Sequence, residues 1–203
     1  MSAPLPDGEL VDLRAGAPDD AEAIARLHLE RIGEGFLATL GRRFLHRLYR
    51  RIIVCEHGFV VVADRAGDVV GFVAVATSTR ALYREFLVRD GAVAAIAALP
   101  SLLRAPRRAW ETLRYGTGGA IDGLPESEIL ALAVGAASAG RGVGKRLVQA
   151  ATVELEQRGF DSARVVTAVG NEAALATYRA AGFGVRARTE VHRGTPQEVL
   201  VWP

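Results

Sequence analysis

The sequence predicts a mixed α/β fold of the α+β kind, a single domain over residues 1–203 with a helical insertion at about 80–126. Three observations predict it. Short β-branched runs alternate with segments of helical period in the order β, α, α, β, β, inserted helices, β, α, β, α, β, β, with no internal repeat. Two pairs of those runs are joined by turn-forming residues, the signature of antiparallel hairpins. Half of the 203 residues are hydrophobic and 24% are charged, with a formal net charge of +2, which suits a chain with a full core and excludes a disordered one.

The elements follow in order. Leu10 to Arg14 alternates apolar and polar side chains as a short strand does. Asp19, with Glu22 three residues on, predicts a capped helix start, and Ile24 and Leu27 lie on one face of that helix. Gly33-Glu34-Gly35 interrupts it. Phe36, Leu37, Leu40, Phe44, Leu45, Leu48 and Ile52 then predict one amphipathic helix, with arginines largely opposite. Phe59 to Ala63 and Val69 to Thr77 read as a hairpin around Asp64-Arg65-Ala66-Gly67-Asp68. Tyr83 to Tyr115 reads mostly as helix, with breaks at Pro100 and Pro106, and Gly116 to Pro125 as a glycine-rich loop. Glu128 to Val134 is an apolar strand, 135–142 a loop of small residues, and about Val143 to Arg158 a helix. A strand at Ser162 to Val169, a helix at Asn171 to Ala181 and a hairpin of Phe183 to Val191 with Glu198 to Trp202 close the chain.

Composition removes several function classes. One cysteine, Cys55, cannot form an internal disulfide or a cysteine-based zinc site, and its setting between Val54 and Glu56 offers no partner for covalent catalysis. Four dispersed histidines form no metal motif, so no metal is expected. The basic residues are spread along the chain, which argues against nucleic acid as a partner. No apolar run reaches the roughly 18 residues of a membrane span, and the first residues do not read as a leader, so a soluble cytoplasmic protein is expected.

The chemistry concentrates after the Glu128 strand. Gly140, Gly142 and Gly144 let the backbone approach a ligand closely, and the helix that begins there presents unpaired N–H groups and the positive end of its dipole. A pyrophosphate suits such a place, with Arg141, Lys145 or Arg146 as counter-charges. Neither the Walker loop nor the dinucleotide fingerprint is matched, and taken alone the stretch also reads as a tight strand-to-helix turn without a ligand.

Ala139-Gly140-Arg141-Gly142-Val143-Gly144 and Asn171-Glu172-Ala173-Ala174-Leu175-Ala176-Thr177-Tyr178-Arg179-Ala180-Ala181-Gly182-Phe183 together resemble the GNAT superfamily of N-acetyltransferases. Its phosphate loop reads Gln/Arg-x-x-Gly-x-Gly/Ala and its later segment Asn-x-x-Ala-x-x-x-Tyr-x-x-x-Gly-Phe. Both loop glycines match, and Ala139 stands where the family carries Gln or Arg. The resemblance covers residues 10 to about 79 and 127 to 202. It implies a mixed, mostly antiparallel central sheet with a V-shaped splay and helices on both faces. It also implies acetyl-CoA as acyl donor, without a metal. Leu132, Ala133 and Val134 would pair with the pantetheine arm, the amides of Gly140, Arg141, Gly142, Val143, Gly144 and Lys145 would hold the pyrophosphate, and Asn171 would bond to the arm or cap its helix. Tyr178 would face the sulfur as general acid, and Glu128 would act as base, with Glu126, Glu34, His28 or a water chain as alternatives. Arg141, Lys145 or Arg146 would compensate for the methyl at 139.

By the same resemblance the acceptor, a small-molecule amine or a peptide N-terminus, lies between Gly33–Phe36 and Val191–Gln197. A non-catalytic acyl-CoA-binding or regulatory module on the same fold is the alternative function. The basic insertion reads as a flap over the acceptor site ahead of a membrane- or partner-docking element, and a homodimer is compatible with the sequence.

Overall fold

The computed structural model describes residues 11–33, 36–104, 123–192 and 195–203. Seven strands form one sheet: β1 (Asp12–Ala15), β2 (Gly58–Arg65), β3 (Asp68–Ala76), β4 (Glu128–Val134), β5 (Ala163–Ala168), β6 (Gly184–His192) and β7 (Thr195–Trp202). Their order across the sheet is β1-β2-β3-β4-β5-β7-β6, so the last strand inserts between β5 and β6. Every neighbouring pair is antiparallel except β4 and β5. This is the mixed, mostly antiparallel sheet that the resemblance implies.

Helices cover both faces. On one lie α1 (Ala21–Arg31), the single turn α2 (Phe36–Thr39), α3 (Arg42–Val54) and α4 (Thr79–Arg104); on the other lie α5 (Val143–Gln157) and α6 (Glu172–Ala180). The alternation of strand side chains sorts the core. Val60 and Val62 pack with Ile24, Leu45 and Tyr49 on the first face, while Phe59, Val61 and Ala63 pack with Leu147, Leu155 and Tyr178 on the second. Both faces of β2 and β3 are buried, which is why these strands read as unbroken apolar runs. Their two-residue turn puts Ala66 at φ 51° and Gly67 at φ 92°, the left-handed pair that matches strand twist.

Several boundaries differ from the sequence reading. The helix expected over Phe36 to Ile52 is split, because Gly41 adopts φ 85° and only α3 continues as a full helix. The start of α1 is preceded by a 3-10 turn, Pro18–Asp20, in which Asp20 and not Glu22 reaches back, its Oδ2 accepting from the Ala17 N–H at 2.7 Å. Arg14 holds the same carboxylate and also Asp64 at 2.7 and 2.9 Å, tying β1 to the helix start and to the end of β2. Pro100 does not break the insertion: α4 passes through it, with the loss of one backbone donor near the end of a long helix. Pro106 and the expected loop at 116–122 lie outside the described residues. Arg51 anchors α4 to α3 through Asp90 at 2.6 Å and Glu85 at 3.4 Å.

Candidate functional site

The site begins where the only parallel pairing among the described strands fails. β4 and β5 are in register at Glu128 with Arg164 and Ile129 with Val165, and nowhere beyond. At the same point the β3–β4 ladder slips: Val75 faces Ile129 and Ala74 faces Ala131, leaving Leu130 as an extra residue. Leu130 and Ala131 consequently both pack toward the α1 side, while Ile129, Leu132 and Val134 pack toward α5. From Leu130 to Val134 the β4 backbone runs beside β3 on one edge and, among the described residues, has no strand on the other. Leu132, Ala133 and Val134 are on that open edge, opposite Val73, Phe72 and Gly71 of β3.

The chain leaves β4 through Gly135, whose N–H donates to Val70 O at 2.8 Å, and turns through a 3-10 segment, Ala136–Ser138. Gly140 and Gly142 follow at φ 73° and 76°, with nothing within 4 Å of where a Cβ would stand. Gly144 is close-packed, an added Cβ meeting Thr177 Cγ2 at 3.3 Å and Val134 Cγ2 at 3.8 Å. Among the described residues no acceptor serves the backbone N–H groups of Gly140 through Lys145; the first bond belongs to Arg146, whose N–H donates to Gly142 O at 3.1 Å. A run of unpaired donors at the positive end of a 15-residue helix, open to solvent, is an anion cradle. Val143 is buried and orients the first turn, while Arg141, Lys145 and Arg146 are exposed beside the cradle. Arg146 also donates to Val11 O at 3.0 Å.

α6 supplies two more predicted residues. Asn171 caps it, Oδ1 accepting from the Ala174 N–H at 3.2 Å, and remains exposed. Tyr178, two turns on, lies against Phe183 at 5.7 Å between ring centres and is 5% exposed. Its hydroxyl bonds to no described residue and is not among the polar atoms sealed from solvent. Burial raises its pKa above the ordinary phenol value.

Glu128 occupies the closed end of the splay. Arg164, its register partner on β5, donates Nε and Nη2 to Oε2 at 2.9 and 2.8 Å, so the carboxylate is ion-paired, and Oε1 accepts from no described residue. Tyr83 of α4 is close enough that desolvation and then the Glu128 charge push its phenol up to about 12. Glu128 is close to Tyr83 of α4 on the α1 side of the sheet, whereas Tyr178 belongs to the core on the α5 side. Glu126 lies before the strand and is exposed, so the two glutamates do not share a strand face; Glu34 lies outside the described residues.

His28 is 3% exposed, its Nδ1 2.5 Å from the Tyr49 hydroxyl, its Nε2 sealed without a partner; desolvation lowers its pKa to about 4. It is neutral at pH 7. Burial pushes the Cys55 thiol up, and its Sγ donates to Ile52 O at 3.8 Å. The two segments expected to flank the acceptor are only partly within the described residues, which omit 34–35 and 193–194. Among the described residues no three metal-ligating side chains gather, and no helix is long and apolar enough to cross a membrane.

Three participants escaped the sequence reading. Tyr83 sits in the insertion, where no motif marks it. Glu198 of β7 is 4% exposed between Arg188 at 3.0 Å and Arg179 at 3.7 Å, locking β6 and α6 to β7. Arg65, at the end of β2, donates Nη2 to the buried Ser138 Oγ at 2.8 Å, reaching the phosphate loop from a strand distant in sequence.

Residues 27–183 match the acetyltransferase (GNAT) family. No curated protein matches the sequence. Solved structures share the fold at low identity. The ribosomal-protein-S18-alanine N-acetyltransferase of Escherichia coli is 13% identical, with a TM-score of 0.60 over 96% of this chain and 94% of its own. The protein yncA of Salmonella typhimurium, solved with acetyl-CoA, is 16% identical at a TM-score of 0.61 over 95% and 92%. AAC(6′)-Ib, solved with paromomycin and acetyl-CoA, is 16% identical at 0.60 over 95% and 92%. With the family match running from within α1 to just past α6 and a splayed strand leading into a loop of free amides, the chain belongs to the GNAT family of acetyltransferases.

Proposed function

We propose that the protein is an N-acetyltransferase that moves an acetyl group from acetyl-CoA to a primary amine by direct attack in a ternary complex. One observation carries the reading: the unpaired amides of Gly140 through Lys145 adjoin a strand edge left open from Leu130 to Val134. That combination suits a ligand with a phosphate end and an extended, amide-bearing arm. Acetyl-CoA supplies the acyl group activated as a thioester. The loop amides hold the pyrophosphate, and the β4 edge pairs with the arm and offers N–H donors toward developing negative charge. Asn171 keeps its Nδ2 free for the arm while Oδ1 caps α6.

As the amine nitrogen attacks the carbonyl carbon and the carbon–sulfur bond breaks, one proton must leave nitrogen and one must reach sulfur. Glu128 Oε1 takes the first, directly or through water. The Tyr178 hydroxyl, free of any bond within the described protein, gives the second. Its raised pKa keeps it protonated throughout the neutral range, and a thiolate expelled into the same apolar surroundings has its own pKa raised by the same desolvation. The acceptor class follows the fold's solved relatives only broadly: the Escherichia coli protein acts on a ribosomal protein, whereas AAC(6′)-Ib was solved with an aminoglycoside. Thiol release from acetyl-CoA in a screen of small amines and peptide N-termini tests the proposal. Binding without turnover on any amine would leave the acyl-CoA-binding module, and no binding would overturn both.

A further inference from the structure

Among the described residues Arg65 is the one cation whose side chain bonds to the phosphate loop. The loop hangs from the end of β4 by a short chain of bonds. Val70, the extra residue where the β2–β3 ladder slips, accepts from Gly135 N–H at 2.8 Å; Gly135 O accepts from Ser138 at 2.9 Å, and Ala136 O from Ala139 at 3.3 Å. Ser138 is 1% exposed, and Arg65 Nη2 holds its hydroxyl at 2.8 Å. The next residue, Ala139, contributes a methyl where the resemblance calls for a Gln or Arg side chain.

The charge is unbalanced. Asp64, adjacent in sequence, is held by Arg14, and among the described residues no carboxylate lies within ion-pair distance of Arg65. Its Nε is sealed from solvent with no partner. A half-buried guanidinium bonded to Ser138, with one donor sealed and unsatisfied, costs the free chain stability. An anion bound at the loop amides that follow Ser138 offsets the cost, because the field of a partly desolvated cation reaches several ångströms with little screening.

We propose that Arg65 is the positioning residue of the phosphate loop, bracing Ser138 from β2 and so replacing the side chain absent at position 139. The inference rests on the acetyl-CoA reading. It adds a support from within the protein to the phosphate contacts expected of Arg141, Lys145 or Arg146, whose exposed side chains make no bond to the loop.

The test uses the full chain, with acetyl-CoA titrated by calorimetry and turnover followed by thiol release. Arg65→Met should weaken acetyl-CoA binding about tenfold or more, while kcat at saturating donor and the acceptor KM stay within twofold. Arg65→Met combined with Ala139→Arg should recover binding to within about threefold of the parent, which a merely structural role of Arg65 would not allow. An acetyl-pantetheine thioester, which lacks the pyrophosphate, should bind parent and Arg65→Met alike. Parent-like acetyl-CoA affinity in Arg65→Met, equal weakening of the thioester, or no recovery with Arg at 139 would each overturn the inference. Should Arg65→Met lose its thermal transition, Ser138→Ala removes the brace alone. It should weaken acetyl-CoA at least threefold, and unchanged affinity would overturn the inference. Failure of the parent to bind acetyl-CoA would instead sink the functional reading beneath it.

Discussion

Replacing Tyr178 by Phe removes one oxygen atom and nothing else from the second core cluster. The ring remains wedged against Phe183 at 5.7 Å, and the hydroxyl it loses makes no hydrogen bond to any described residue. Deleting an unbonded hydroxyl changes stability by no more than about 0.5 kcal/mol, a Tm shift of roughly 1 to 2 °C for a chain of this length. Catalysis should respond very differently. If the hydroxyl protonates the departing sulfur, its loss raises the barrier by about 1.4 to 4 kcal/mol, equivalent to a 10- to 1000-fold fall in turnover. Acetyl-CoA affinity should stay within twofold, since binding rests on loop amides and a strand edge that the substitution does not reach. Differential scanning calorimetry, titration calorimetry and thiol release on one preparation read the three quantities together. Turnover within twofold of the parent would refute the reasoning and return Tyr178 to packing alone, whereas a large loss of stability would show that the hydroxyl has a structural partner.

Gly142→Ala places a Cβ in open space but at φ 76°, so it should cost about 1 kcal/mol of stability and disturb the cradle; Gly142→Glu, with a carboxylate at an anion site, should abolish acetyl-CoA binding, and unchanged calorimetric affinity would refute the loop assignment. Glu128→Gln should remove the acidic limb of the turnover–pH profile, because only the carboxylate accepts the amine proton; a mutant with the parent's rate and profile would move that role to Glu126 or to water. His28 has a folded pKa near 4 against 6.5 for the free side chain, so the unfolded chain binds its proton first as pH falls and stability drains away between about 6.5 and 4. That amounts to about 3 kcal/mol at most, and His28→Gln should flatten urea-unfolding stability across this window by that share; parallel curves would refute it.

What was legible in the sequence was whatever is local. β4 begins and ends at Glu128 and Val134 as its apolar run does, and Asn171 opens α6 as its side chain demands. The loop of left-handed glycines stands where the glycines do. Gly41 was equally local but lay inside a strong helical period, which masked a break made by one backbone angle. The rest depends on partners far apart along the chain. The insertion of β7 between β5 and β6, the pairing of Glu128 with Arg164, and the reach of Arg65 to Ser138 leave no periodic trace, because each is decided by which strands become neighbours. The same holds for Tyr83, which gains its relation to Glu128 only when α4 docks on α3.

The extra residue in β4 bears on how such a groove can be gained or lost in descent. Ile129 points to the α5 side and both Leu130 and Ala131 to the α1 side, after which strict alternation resumes. Removing Leu130 would therefore leave every other side chain of the strand on its present face, and would erase the step at which β4 parts from β5. Point substitutions at 130 alter only what fills that step. The opening is encoded in the number of residues rather than in their identity, so it is robust to drift by exchange of amino acids and vulnerable to the insertion or deletion of a single codon.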